Sequence, residues 1–137
     1  MSTTLHKTLR PDVADLIALG PEVEAFLGRH GVPSHAVMKV RVALEEMILN
    51  LINHATGLAG SPIDVRLEAE PGRVIVWIED EGDPFDPRSV PQFDTTQPLE
   101  ARRAGGMGIA LVRGFVSEMH YERLSGRNRL RLVIAHG

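Results

Sequence analysis

Three groups of residues in this sequence combine side-chain types and spacings that could carry chemistry. The first group is Glu46, Asn50 and His54, which follow one another at intervals of four residues within an apolar stretch. In a helix with about 3.6 residues per turn, this interval places all three side chains on one face. A second interpretation stays open, because a stripe of polar residues is also an ordinary solvated helix face.

The chemistry available to this first group is that of a magnesium and phosphate site. The amide oxygen of Asn50 suits Mg²⁺, whose other ligands would be phosphate oxygens and water. The carboxylate of Glu46 suits the orientation or deprotonation of an attacking hydroxyl group. His54 could bind a phosphate, although a histidine near the end of a helix is equally favoured by the helix dipole. Glu46 is therefore the candidate catalytic residue and Asn50 the candidate metal ligand.

The second group is an Asp-x-Gly pair, Asp80 and Gly82, directly after a β-branched run. Taken alone, the pair predicts a tight turn, since Asp and Gly both favour chain reversals. A carboxylate at the end of a strand can also accept the amino hydrogen of adenine, and a nearby glycine lets the flat base approach the backbone. We expect Asp86 to brace the loop that follows, and Phe85 to be a core anchor rather than a base-stacking residue.

The third group is the glycine-rich segment at residues 104–109, at the predicted start of a helix. Glycine permits unusual backbone angles, and amides at a helix N-terminus face anions, so the segment could cradle a polyphosphate. It is neither the Gly-x-x-x-x-Gly-Lys-Ser/Thr phosphate loop nor a Rossmann motif after an early strand. The preceding Arg102 and Arg103 could reach a terminal phosphate or be solvated charge. The candidate contacts are Arg103, Gly105, Gly106, Met107 and Gly108.

Composition narrows the class of protein around these groups. A chain of 137 residues with 43% hydrophobic residues can bury the core of one domain, which we place at residues 1–137. The net charge of -3 gives no reason to expect direct nucleic-acid or anionic-membrane binding. Without cysteine, disulfides and thiolate metal sites are excluded. No signal peptide or membrane-spanning apolar run is evident, so we expect a soluble cytoplasmic protein.

Hydrophobic periodicity predicts three helices and five strands around the candidate residues. The expected helices start near Pro11, at Pro33 and near residue 109, and Gly20-Pro21 should break or restart the first. The predicted elements are an edge strand at 3–9, helices at 11–30, 33–55 and 109–119, and strands at 63–69, 74–79, 120–124 and 128–135. Residues 80–106 carry four prolines and no apolar period, which is typical of a functional lid.

These elements predict an α+β fold. Helices would cover one face of a sheet whose strands follow one another in hairpins. The expected architecture is a two-layer α/β sandwich with a mixed, mainly antiparallel sheet.

In their order along the chain, the three groups resemble the nucleotide-binding boxes of the GHKL ATPase superfamily. The resemblance covers nearly the whole chain and is greatest to the anti-sigma-factor serine kinases, through the segments 84–87 and 105–112. The matching positions are Glu46, Asn50 and His54 for the N box, Asp80 and Gly82 for the first glycine box, and Gly106 and Gly108 for the second.

This resemblance implies a Bergerat ATP-binding fold with ATP and Mg²⁺ as cofactors. It implies transfer of the γ-phosphoryl group to a serine or threonine of an anti-anti-sigma partner, with sequestration of a sigma factor and a homodimer as further features of relatives. Many relatives have a nucleotide-contacting threonine near the last turn, where this chain has Gly126-Arg127-Asn128. Asn128 would take over that contact.

Two other functions are compatible with the same residues. One is a nucleotide-gated module that binds its partner without efficient transfer, since a fold does not guarantee catalysis. The other is a detached histidine-kinase catalytic domain, which should follow a dimerisation helix with a phosphoacceptor histidine. Neither of the first two predicted helices clearly supplies such a residue, so a serine/threonine kinase is the leading hypothesis.

Overall fold

A computed structural model describes residues 3–55, 57–58, 60–89 and 104–137, with the backbone alone described for residues 104–107. The three predicted helices and five predicted strands are all present in this part of the chain. In order they are β1 (Thr4–Leu9), α1 (Val13–Arg29), α2 (Ser34–His54), β2 (Ile63–Glu70), β3 (Arg73–Asp80), α3 (Ala104–Phe115), β4 (Glu118–Leu124) and β5 (Arg127–Ala135). None of the described helices is long and apolar enough to cross a membrane.

The strands form one sheet in the order β1-β2-β3-β5-β4, and each neighbouring pair is antiparallel. The predicted sandwich with helices on one face is confirmed, whereas the sheet, which was predicted to be mixed and mainly antiparallel, is antiparallel at every pair of described strands. Strand β5 returns to lie between β3 and β4, so that Asp80 pairs with Asn128. This register brings together two side chains that are 48 residues apart in the sequence.

The core lies between the helices and one face of the sheet. Side chains of a strand point alternately to its two faces, and on β2 alternate residues are fully or almost fully buried. These residues are Ile63, Val65, Leu67 and Ala69. The opposite face carries charged side chains, among which Arg127 pairs with Asp64 at 2.8 Å and with Glu81 at 3.0 Å. One face therefore holds the hydrophobic core and the other a network of ion pairs.

Helix α1 begins at an Asp12 N-cap, which accepts a hydrogen bond from the backbone of Asp15 at 2.8 Å. The predicted break at Gly20-Pro21 is wrong, because the helix continues through both residues. Apolar residues on both sides of Pro21 are buried in the core, and this burial outweighs the one backbone hydrogen bond that proline removes. These residues are Leu16, Leu19, Val23, Phe26 and Leu27.

The third helix is displaced toward the N-terminus relative to its predicted position. It begins at Ala104, includes the glycine-rich segment and ends at Phe115. Met119, which we expected on this helix, lies instead on β4, where it pairs with Leu132 of β5. The local sequence does not distinguish the two structures, because apolar residues near a helix end can also fit the alternation of a half-buried strand. Pairing with β5 places Met119 in the strand.

Candidate functional site

Helix α2 places the first candidate group along the boundary between core and surface. Glu46 and Asn50 are half-buried, whereas His54, the last residue of the helix, is exposed. At about 1.5 Å of rise per residue, Glu46 and His54 are about 12 Å apart along the axis. They could therefore contact different parts of one elongated ligand, with Asn50 between them.

An open cavity of about 350 Å³, including its mouth, lies between α2 and the ends of β3 and β5. Three candidate residues, Asn50, Asp80 and Asn128, meet there. The rest of the lining is mostly apolar and consists of Met47, Leu51, Ile78, Phe85, Pro87, Tyr121 and Leu130. An apolar cavity with a few polar groups suits a flat, partly polar ligand.

Asp80 is only 4% exposed, and its carboxylate is held by two hydrogen bonds to the same oxygen. Oδ1 accepts from the backbone N–H of Gly82 at 2.8 Å and from Nδ2 of Asn128 at 3.0 Å. No donor from the described residues reaches the second oxygen, Oδ2. Because Asp80 lines the cavity, Oδ2 is an acceptor for a ligand that brings its own N–H or O–H group.

Asn128 is also buried, and its amide is fully used within the protein. Nδ2 donates to the carbonyls of Asp83 at 3.0 Å and Gly82 at 3.3 Å as well as to Asp80. Oδ1 accepts from the hydroxyl of Tyr121 and from Nη1 of Arg123. The structure thus gives Asn128 a bracing role at the cavity floor, and its direct contact with a nucleotide stays a prediction.

Tyr121 and Arg123 are site residues that the sequence analysis missed. Both lie on β4 and approach the Asp80 turn only because β5 carries Asn128 between β3 and β4. Arg123 also donates to the carbonyl of Gly82 at 2.6 Å. No local motif surrounds them, so only the strand order could have revealed their place.

The segment after β3 differs from one expectation and confirms another. Phe85 was expected in the core, but it is 39% exposed and lines the cavity, because the chain leaves the sheet before this residue. Asp86 braces the following turn as predicted. It accepts from the backbone N–H of Arg88 at 2.9 Å and pairs with its guanidinium at 2.7 Å. Hydrogen bonding from the Arg88 side chain lowers the pKa of Asp86.

The glycine-rich segment forms the first turn of α3, and one of its glycines touches the catalytic candidate. A Cβ atom built on Gly108 would overlap the carboxylate of Glu46. The residues before it, Gly105, Gly106 and Met107, are helical in backbone. N–H groups in the first turn of a helix lack acceptors within the helix and suit an anion. Arg103 lies outside the described residues.

A magnesium ion would need ligands beyond the protein at this site. No cluster of three or more His, Cys, Asp or Glu side chains among the described residues could hold a metal ion. The amide oxygen of Asn50 can supply one hard ligand, and phosphate oxygens and water would supply the others. The residues therefore fit a metal that arrives with a phosphorylated ligand.

Comparison with known proteins identifies relatives of this chain. The sequence matches the histidine kinase-like ATPase domain family over residues 9–134. It is 30% identical over 91 residues to the serine/threonine-protein kinase BtrW of Bordetella bronchiseptica. That match covers 65% of this chain and 63% of BtrW, so the chain spans less than two thirds of this curated relative.

Solved structures show the same fold at low sequence identity. The RsbU and RsbW domains of Rv1364c from Mycobacterium tuberculosis give a TM-score of 0.69 at 19% identity, covering 96% of this chain and 31% of that one. A chain of the SiaB-SiaC complex from Pseudomonas aeruginosa gives 0.65 at 16% identity, covering 95% and 88%. At these identities the likeness concerns the fold, and it agrees with the predicted fold class.

The contact between Gly108 and Glu46 predicts that the effect of a substitution at Gly108 on stability depends on whether Glu46 is present. With Glu46 present, Gly108→Ala should displace the flexible Glu46 carboxylate, and this displacement should cancel part or all of the gain that alanine brings to a helix. In a Glu46→Ala background the same change should stabilise it by up to about 1 kcal/mol, because alanine favours a helix over glycine. Denaturant unfolding of the four proteins measures both values.

Gly114 provides the matched control in the same helix, since no atom of the described residues lies within 4 Å of a Cβ atom built on it. Gly114→Ala should be neutral to stabilising in both backgrounds. An equal effect of Gly108→Ala on stability with and without Glu46 would show that the contact is absent.

The pairing of Asp86 with Arg88 predicts a dependence on pH. Since the pKa of Asp86 is lowered on folding, the pair stabilises the protein above the unfolded pKa of about 3.9, and this is lost as pH falls through the folded pKa. Arg88→Ala should raise the pKa of Asp86 toward its ordinary value, as measured by NMR titration. Arg10→Ala, the control, should raise the pKa of Asp15 instead. An unchanged Asp86 pKa in Arg88→Ala would contradict this assignment.

Proposed function

Since the chain belongs to the histidine kinase-like ATPase domain family, we propose that it is an ATP- and Mg²⁺-dependent serine/threonine protein kinase of the anti-sigma regulatory type. The observation that carries the proposal is the meeting of Asn50, Asp80 and Asn128 in one cavity, beside the contact of Glu46 with Gly108. The adenine base, the metal ion and the hydroxyl group of the protein that accepts the phosphate would each find a suitable partner within this arrangement.

In the proposal, the adenine base occupies the apolar part of the cavity. Its 6-amino group donates to Oδ2 of Asp80, the oxygen that the described residues leave without a donor. Gly82, which lacks a side chain, allows the base to approach the turn. The apolar contacts come from Met47, Leu51, Ile78 and Leu130. Burial of a flat base against such side chains excludes water from its faces.

The phosphates would extend toward the place where α2 and α3 approach each other. The N–H groups in the first turn of α3, at Gly105, Gly106 and Met107, would face them. Arg103 and His54 are proposed as further phosphate contacts. Asn50 would hold the Mg²⁺ ion through its amide oxygen, and bound Mg²⁺ neutralises phosphate charge. This arrangement places Glu46 one helical turn from the metal ligand.

Glu46 would carry the step from binding to catalysis. Its carboxylate orients the serine or threonine hydroxyl of a partner and accepts the proton as the oxygen attacks the γ-phosphorus. The bond between the γ-phosphorus and the bridging oxygen breaks, and ADP leaves. Because Gly108 has no side chain, the Glu46 carboxylate can lie against the start of α3, next to the proposed phosphate site.

The proposed partner is an anti-anti-sigma protein, with a sigma factor as a second binding partner and a cytoplasmic homodimer as the working form. The support for a protein partner comes from similar proteins. BtrW is named a serine/threonine-protein kinase, and a similar fold was solved in the SiaB-SiaC complex. A role in transcription regulation follows if the partner controls a sigma factor.

A transfer assay with γ-radiolabelled ATP, Mg²⁺ and candidate anti-anti-sigma proteins tests this function. Glu46→Ala should lower the transfer rate by about a hundredfold or more, the usual contribution of a general base, while ADP still binds. Glu45→Ala is the matched control, because Glu45 is the exposed neighbour of Glu46 on α2. This variant should transfer the phosphoryl group at the normal rate.

Two results would contradict the kinase proposal. Undiminished transfer by Glu46→Ala would remove Glu46 from the reaction. Nucleotide binding by the unmodified chain without transfer to any anti-anti-sigma protein would favour the nucleotide-gated binding module instead.

A further inference from the structure

Tyr121 joins the cavity to the Asp80 turn through a single side chain. Its hydroxyl donates to Oδ1 of Asn128, and its ring lines the cavity. Arg123 donates to the same oxygen at 3.2 Å. Tyr121, Arg123 and Asn128 thus form a continuous hydrogen-bonded brace, which ends on the carboxylate of Asp80.

The donors on β4 determine which way the Asn128 amide faces. A guanidinium group can only donate, so the atom it meets at 3.2 Å must be the amide oxygen. The amide nitrogen then faces Asp80, where it donates to Oδ1 at 3.0 Å. Oδ1 is occupied by this bond and by the N–H of Gly82 at 2.8 Å, whereas no donor from the described residues reaches Oδ2, which leaves Oδ2 as an acceptor for a ligand.

We infer that Tyr121, acting through Asn128, is a positioning residue that makes the chain selective for purine nucleotides carrying a 6-amino group. The inference rests on the proposed function, because it assumes that a nucleotide base occupies this cavity. Tyr121 is not assigned any part in phosphate transfer. Together with Arg123, its hydroxyl holds the Asn128 amide in place, and the amide N–H in turn fixes the position of the Asp80 carboxylate.

The chemical consequence concerns one group of the ligand. A base with a 6-amino group donates to Oδ2 of Asp80, whereas the same base without that group leaves a buried carboxylate oxygen without a partner. An unsatisfied buried charged acceptor is costly, so the folded chain should prefer the first base by about ten- to a hundredfold. If the brace is weakened, the carboxylate is less well fixed and this preference falls.

The test compares ADP with purine riboside 5′-diphosphate, which lacks only the 6-amino group. Diphosphates are used because they cannot donate a γ-phosphoryl group. Affinities are measured by calorimetry with Mg²⁺ for the unmodified chain, Tyr121→Phe, Asn128→Asp and Glu122→Gln. Tyr121→Phe retains the ring in the cavity and removes only the hydroxyl. Glu122, on the opposite face of β4, serves as the control.

Tyr121→Phe should weaken ADP binding by about two- to tenfold, the value of one buried hydrogen bond, and leave purine riboside diphosphate almost unaffected. Asn128→Asp keeps an oxygen for the β4 donors but loses the N–H that faces Asp80, so the preference for ADP should largely disappear. Glu122→Gln should bind both nucleotides as the unmodified chain does. Thermal unfolding checks that each variant is folded, and Tyr121→Phe carries the test alone.

The outcomes separate this inference from the function on which it rests. If Tyr121→Phe weakens both nucleotides equally, or neither, the brace does not act through the 6-amino group and the inference is wrong, while the proposed function stands. If the unmodified chain binds no ADP, the proposed function itself is wrong.

Discussion

The buried hydrogen bond between Asp80 and Asn128 ties the fold of this protein to its cavity. It crosses from the end of β3 to the start of β5, and both side chains are only 4% exposed. Two polar groups that are buried away from water are stable only when their hydrogen bonds are formed. Here the amide satisfies the carboxylate and two backbone carbonyls of the following turn. The register of the sheet and the shape of the Asp80 turn therefore depend on each other.

The residues around this bond serve two purposes, since some form the hydrophobic core and others line the cavity. The face of the sheet that packs against the helices is apolar as far as Asp80 and Asn128, where the core ends and the cavity begins. Helix α2 shows the same transition from core to cavity, since Met47 and Ile48 are buried in the core and Asn50 lines the cavity. One amphipathic helix can thus contribute to the core and to the site, because its boundary residues face both.

The sequence predicted most of the elements and the three candidate groups, because apolar periodicity and polar spacing are local properties. It could not predict what depends on packing between distant segments. The break at Gly20-Pro21 did not occur, since buried residues on both sides hold the helix together. Phe85 lines the cavity instead of the core, and Met119 belongs to a strand. Tyr121 and Arg123 carried no local signal, because their role arises from the position of β5 beside β4.

The proposed function requires the cavity between α2 and the Asp80 turn to hold an adenine nucleotide. A crystal structure of the chain grown with ADP and Mg²⁺ tests it most directly. We expect the adenine 6-amino nitrogen within about 3.2 Å of the Asp80 carboxylate, with the phosphates directed to the first turn of α3. A nucleotide bound elsewhere, or an adenine whose amino group points away from Asp80, would contradict it.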